Sequence, residues 1–359
     1  MSTTVHKPRF SKKPEDRQHY NELRRLVNSR LEELPRGRLV IARFRAVVLP
    51  MVYFLLYFLA LNQKESIGLF YLLYFLMGIT AVLIFLNVIH ESCHGNLFRA
   101  AFWNRAFYSF FDIMGMNSYI WEKRHNHLHH HFPNMAGWDS DIEQSSIIKI
   151  YPHENPKPIQ RYQQFFFFLL YPLYLINWVI VRDFKDYLNK NQIVRKICHT
   201  PLSEWIKLLA FKAFFFFYIF LVPWKIVGFT LGQSIIALMI MLGGAGIFAL
   251  AVLLTPHVNT GNAFPLTDSQ LLSSDSWLMH QFITTNDVTT ENFITRNLMG
   301  NFNYHTAHHL FPNISCVYAP EVTAVIREYA RDHQLPYHAY PFLVALKKHY
   351  ELLKSNAGA

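Results

Sequence analysis

Five apolar runs, at 46–61, 67–89, 165–181, roughly 208–224 and 235–255, restrict what this chain can fold into. Phenylalanine occurs in unbroken blocks at 165–168 and 214–217. A water-soluble domain has too little interior to hide such blocks, whereas a bilayer solvates them. About 20 apolar residues are enough for a helix to cross it. The second run spans easily, and the shorter first run draws on its flanks. The chain therefore reads as an all-α integral membrane protein.

Charge sets the expected orientation. Twelve Lys and Arg precede residue 46, while the link between the first two runs holds one basic residue, Lys64. The positive-inside rule places the N-terminus in the cytoplasm. Residues 14–34 carry Leu23, Leu26, Val27 and Leu31 at helical spacing. They predict an amphipathic surface helix, with a solvated basic tail as the other reading. The net charge of +10 in such a chain points to anionic membrane lipids or a phosphate-bearing substrate, and no nucleic acid is expected. Cys93, Cys198 and Cys316 form no disulfide-like pattern, which fits a reducing compartment. No cleavable signal-peptide pattern precedes the first run.

Three histidine boxes lie close to the runs but outside them: His90-Glu91-Ser92-Cys93-His94, His125-Asn126-His127-Leu128-His129-His130 and His305-Thr306-Ala307-His308-His309. His90 and His94 are four residues apart and share a helix face, and His125 and His129 repeat that spacing. His130 adds a neighbouring ligand, and the third box combines spacings of three and four. Imidazole suits Zn, Cu, Fe and Ni. Eight imidazoles at about four per ion describe a two-metal redox site at a membrane surface. Without bridging carboxylates, two irons there would keep a high positive charge. Such a centre, reduced by two electrons, can bind O2 and attack an unactivated C–H bond. Ligating imidazoles usually donate their second N–H to a carboxylate or carbonyl. Asp139, Asp141 and Glu143 follow box two and are candidates for that task; a solvated acidic turn is the alternative.

A shared site requires all boxes on one face of the membrane, so an even number of runs must cross. The 165–181 run is the one assigned to the interface. It is short, contains Pro172 and Asn177, and is flanked by Arg161 and Arg182. The expectation is four transmembrane helices in two hairpins, with interfacial helices and a cytoplasmic histidine-rich di-iron cap. The N-terminus, the boxes and the C-terminus are then all cytoplasmic. The expected divisions are a basic N-terminal region at 1–45, a membrane domain at 46–320 and a helical tail at 321–359. Two other classes compete. His90-Glu91-Ser92-Cys93-His94 also spells the HExxH motif of zinc hydrolases, a reading that leaves boxes two and three without a task. A histidine-rich metal transporter would place its ligands inside the spans, and here they lie outside.

The three boxes in this order resemble those of the membrane fatty acid desaturases. Finer matches are Trp121 four residues before box two, Asn126 inside it, and Pro133-Asn134 after it. The third box is similar in its full context, from Asn303-Tyr304 to Leu310-Phe311-Pro312. Trp277, His280-Gln281 and Thr284-Thr285 resemble a segment of the linoleoyl-CoA desaturase-like branch of acyl-CoA desaturases. The resemblance covers nearly the whole chain. It implies a double bond inserted into a long acyl chain (acyl-CoA or acyl-lipid), with O2 as co-substrate and two iron ions as cofactor. Position by position it carries the ligand role to His90, His94, His125, His129, His130, His305, His308 and His309. It also implies one ligand after the last span, best matched by His257, with His280 second. Asn126, Asp139, Asp141 and His280 are the expected outer partners of the ligands. His127 and His131 are extra to the pattern. The chain departs from front-end members, which often carry Gln where His305 stands and a fused haem domain with a His-Pro-Gly-Gly motif. The resemblance thus implies electrons from a separate protein, cytochrome b5 or a ferredoxin. A hydroxylase on the same ligands is the nearest alternative activity.

Overall fold

In the computed structural model, which describes residues 6–143 and 145–358, nearly all regular structure is helical. Five helical stretches are long and apolar enough to cross a membrane: Arg36–Leu61, Ile67–Cys93, Pro158–Leu188, Leu202–Val227 and Leu231–Leu253. Each expected run lies within or almost within one of them. The Pro158–Leu188 stretch is built differently from the rest. It passes through 3-10 turns at Pro158–Tyr162 and Tyr171–Leu173 and a π-helical turn at Trp178–Arg182. Pro172 occupies the second of those 3-10 turns, where it has no N–H to donate to a continuing helix.

The chain divides into two compact units. One comprises Val40–Glu122 and Phe167–Ala251 and contains most of the apolar helices. Its helices approach closely at small residues: a Cβ on Gly78 would collide with the Met241 carbonyl, and one on Gly246 with the Tyr171 carbonyl at 2.7 Å. Tyrosines supply polar contacts inside this apolar unit. The Tyr57 and Tyr74 hydroxyls donate to the Tyr218 and Ile219 carbonyls at 2.6 and 2.9 Å. Tyr218 and Ile219 open the π-helical stretch Phe217–Val227. Two ion pairs, one of them fully buried, join further segments. Lys212 Nζ lies 2.7 Å from Asp183 Oδ2 and donates to the Gly115 and Val179 carbonyls, both at 2.5 Å. Lys207 pairs with Asp112 at 2.8 Å. A charge in so apolar a setting persists because each partner and spare donor is met.

The other unit comprises Met1–Leu39, Lys123–Phe166 and Val252–Ala359. The expected amphipathic helix forms as Pro14–Glu33, with Pro14 at its first turn and Glu15 and Asp16 beside the positive helix end. Its apolar stripe faces protein: Leu23 and Val27 are fully buried, and the helix packs along Ala319–Asp332. Two short parallel strand pairs fix loops in this unit. Arg9–Phe10 pairs with Leu272–Ser273, and Asp287–Val288 pairs with Ala339–Tyr340. The C-terminal helix Phe342–Gly358 is tied down by side-chain amides. Gln163 donates to the Leu353 carbonyl at 2.8 Å, and Asn356 to the Ile150 carbonyl at 2.6 Å.

Candidate metal centre

Each box forms on or beside an irregular helical turn. A π-helical turn at Phe85–Ile89 leads into His90–Cys93, and another at Ile294–Leu298 precedes box three. Box two is itself a π-helical turn, His125–His129, closed by the His130 N–H on the His125 carbonyl at 3.0 Å. Such turns recur at functional sites because they change the angle between successive side chains. Here the wider turn aligns residues five apart: His125 Nε2 and His130 Nε2 are 3.1 Å apart. Sequence spacing paired His125 with His129 on one α-helical face. The His125 and His129 rings do stack, 5.4 Å apart between centroids, and His129 also belongs to a second set of rings.

That set is His129, His257, His305 and His309. One ligand atom from each lies within 4.8 Å of the others, and all four residues are buried. The Nε2 atoms of His257 and His305 are 2.7 Å apart. His129 comes from box two, His305 and His309 from the helix His305–Leu310, and His257 from the turn that follows Leu231–Leu253. His257 is held firmly there, since Asn134 and Asn262 both donate to its carbonyl at 3.0 Å. His130 lies beside the cluster, with ring centroids 4.7 Å from His309 and 4.6 Å from His308. His308 also faces His125, at 6.1 Å between centroids. In the other unit, the His90 and His94 rings are 5.1 Å apart, and Trp121 lies 6.4 Å from His90.

The outer side of the cluster decides which nitrogen each ring offers. Asp139 takes the His129 Nδ1–H on both oxygens at 3.0 Å, the Thr284 carbonyl takes the His257 Nδ1–H at 3.2 Å, and Gln281 Oε1 takes the His309 Nδ1–H at 3.1 Å. Carboxylate, carbonyl and amide oxygens only accept. Three rings therefore carry their proton on Nδ1 and turn the Nε2 lone pair inward. His309 Nε2 is buried with no hydrogen-bond partner among the described residues. Burial, with the neighbouring histidines next, holds His257 and His309 well below the ordinary imidazole range, so both stay neutral. At His129 burial is the largest influence and opposes the charged form, but the Asp139 charge, the hydrogen bond to it and the Asp141 charge together raise the pKa. A buried orphan nitrogen and converging neutral lone pairs form a donor set that fits a metal ion.

The remaining expected residues are placed as follows. Asp141 takes the His125 Nδ1–H at 3.2 Å and pairs with Arg124 at 3.2 Å. The Asn126 carbonyl accepts from His131 Nδ1 at 2.9 Å. His280 donates from Nε2 to the Pro133 carbonyl at 2.9 Å, and burial lowers its pKa to about 4. It braces the turn after box two, while its neighbour Gln281 touches a cluster ring. Two contributors were given no role at the site by the sequence. Gln281, named only within the resemblance, is one; the helical period from Trp277 would have put it on the same face as Thr284. Asp287 is the other. Its Oδ1 accepts from the Thr306 N–H at 2.7 Å and its Oδ2 from the Tyr337 hydroxyl at 2.6 Å. It thereby holds the start of the box-three helix.

Membrane-length helices, together with a buried imidazole cluster compatible with metal binding, define a class of membrane proteins. A model of the fatty acid desaturase family matches residues 66–341, so the chain belongs to that family. It is 30% identical to the sn-1 linoleoyl-lipid 6-desaturase of Arthrospira platensis over 272 residues, 75% of this chain and 73% of the relative. It is 28% identical to the Synechocystis protein of the same name over 276 residues, 76% of each. It is 25% identical to the acyl-lipid (8-3)-desaturase of Physcomitrium patens over 308 residues, 84% of this chain and 63% of the relative. The chain is accordingly an oxygen-dependent fatty acid desaturase, a membrane oxidoreductase acting on a fatty acyl substrate.

Proposed function

We propose that the eight box histidines and His257 hold two iron ions, and that the enzyme desaturates a lipid-linked acyl chain with two electrons from an external donor. The observation that carries this reading is the four-imidazole cluster of His129, His257, His305 and His309, with Nδ1 of three rings tied to acceptors. When bound, the irons supply the means of reducing O2 and removing hydrogen from a C–H pair. The chain's own residues do the positioning. Asp139, Gln281 and the Thr284 carbonyl fix tautomer and ring angle, and burial excludes water from the reacting atoms. The lipid-linked substrate follows the names of the relatives, two of which are linoleoyl-lipid 6-desaturases. Cytochrome b5 or a ferredoxin is the donor class, and the basic cytoplasmic face suits such acidic proteins.

The topology belongs to the same reading. Four of the five apolar stretches cross, and Pro158–Leu188 lies along the interface. Its two 3-10 turns and the buried Arg182, Asp183 and Asp186 near its end support this. The boxes and both termini then face the cytoplasm. Residues 1–45 form a basic amphipathic cytoplasmic N-terminal region, 46–320 the membrane desaturase domain with its three histidine boxes and 321–359 a cytoplasmic helical tail.

The test is a fatty acid profile by gas chromatography and mass spectrometry of cells expressing the chain or its His309→Ala variant, in a host supplying linoleoyl lipids. A new unsaturated species with the unsubstituted chain alone is expected, and its fragmentation locates the double bond. A hydroxylated species would assign the chain to the hydroxylase alternative. Purified protein holding zinc and no iron, with neither product formed, would overturn the di-iron reading.

A further inference from the structure

Gln281 is fully buried on the helix Trp277–Thr284. That helix is anchored at its start, where Ser276 Oγ accepts from the Met279 N–H at 3.3 Å. At its end the Thr285 hydroxyl donates to the Gln281 carbonyl at 2.6 Å. The last turn of the helix backs the cluster: Gln281 meets His309, and the Thr284 carbonyl meets His257. Gln281 makes a second contact, donating from Nε2 to the His130 carbonyl at 3.4 Å. One side chain thus touches box three through a ring and box two through its backbone.

Only a carboxamide can do both at this position. Its oxygen accepts the ring N–H while its NH2 donates to a carbonyl. An ionised glutamate would accept but not donate, and leucine would do neither. The choice also sets charge. His129 is backed by the Asp139 carboxylate, whereas His309 is backed by a neutral amide. A carboxylate partner makes an imidazole a stronger donor. Rings with unequal partners present unequal donor strength to the same ion.

We propose that Gln281 is a positioning residue for His309: it fixes the ring's tautomer, ties it to box two through the His130 carbonyl, and keeps it the weaker donor beside His129. The inference rests on the reading of the four-histidine cluster as a metal centre.

The experiment titrates Co2+ into purified, metal-stripped full-length protein in detergent, reading the ligand-field absorption and the affinity. Wild type is compared with Gln281→Leu and Gln281→Glu. Gln281→Leu is expected to weaken Co2+ binding about 10–100-fold, the usual effect of losing an outer partner. Gln281→Glu is expected to restore affinity to near wild type with a shifted ligand-field spectrum, because the acceptor returns with a charge. A packing role alone would not move the spectrum. Wild-type affinity and spectrum in Gln281→Leu would overturn the inference while leaving the metal reading intact. If that variant fails to fold, an unshifted spectrum in Gln281→Glu overturns it equally. Absence of Co2+ binding by the wild type would overturn the metal reading and this inference with it.

Discussion

Replacing Asp139 by Asn tests the proposal that the cluster holds a metal. Asp139 is fully buried and accepts five contacts from four donors, the Ile142 N–H on Oδ1 at 3.4 Å among them. His129 Nδ1 lies 3.0 Å from both oxygens, the Asn134 N–H reaches Oδ2 at 2.9 Å, and the Asp141 N–H reaches Oδ1 at 3.1 Å. An asparagine has one accepting oxygen. Whichever way its amide turns, the NH2 faces either the Asn134 or the Asp141 N–H. One buried donor is then left unmet, at about 1–3 kcal/mol. The His129 ring loses a charge-assisted bond, and with it the charge that strengthens Nε2 as a ligand. Loss of such a partner costs about 10–100-fold in metal affinity, or about 1.4–2.8 kcal/mol. The two effects separate experimentally. Thermal unfolding of metal-free protein in detergent reads the first, and metal retained after dialysis against a graded chelator series reads the second. Asp139→Asn is expected to melt lower without metal and to release metal at a chelator concentration about 10–100-fold lower. Unchanged metal retention would refute the argument that Asp139 strengthens His129 as a ligand, even if stability fell.

Two further outcomes follow from buried charge. His280 and His349 are both held at about 4, chiefly by burial, although each donates to a carbonyl. In the unfolded chain an imidazole titrates near 6.5. Between those values the unfolded state binds more protons. Stability is therefore full above pH 6.5 and falls progressively toward pH 4, by about 3 kcal/mol for each group. Unfolding of metal-free protein across this range should show the decline, and His349→Gln should make it shallower; an identical slope would exclude His349 as a source. Lys212→Met should destabilise the protein by about 3–5 kcal/mol by removing the cation paired with the buried Asp183. Lys212→Met with Asp183→Asn should recover much of that loss, and equal damage in the single and double variants, measured by melting in detergent, would show that the pair is not the cause.

The apolar runs were legible because bilayer solvation acts on length and composition, which are local. The boxes were legible because repeated imidazoles at one-turn spacing mark a ligand set. The helix at Pro14–Glu33 followed from its period, but its partner did not: an apolar stripe at Leu23 and Val27 suits a lipid surface or a protein groove equally, and the groove beside Ala319–Asp332 is formed by residues about 300 positions away. Asp139 was readable from its closeness to box two. Gln281 was not singled out, because it differs from His280 by one step of helical rotation, and only the packed helix shows which of the two meets His309.

Sequence by itself determined the kind of solvent this protein requires, its family and the histidines that are candidate ligands, since each depends on composition or on contacts within a turn or two. The tertiary structure decided how those residues are shared out. It set which nitrogen each ring presents, that a π turn brings His125 and His130 within 3.1 Å, and that His257 closes a cluster with residues 48 and 52 positions further along. Hydrogen-bond partners brought together from distant segments fix these choices, and no local pattern encodes such partners.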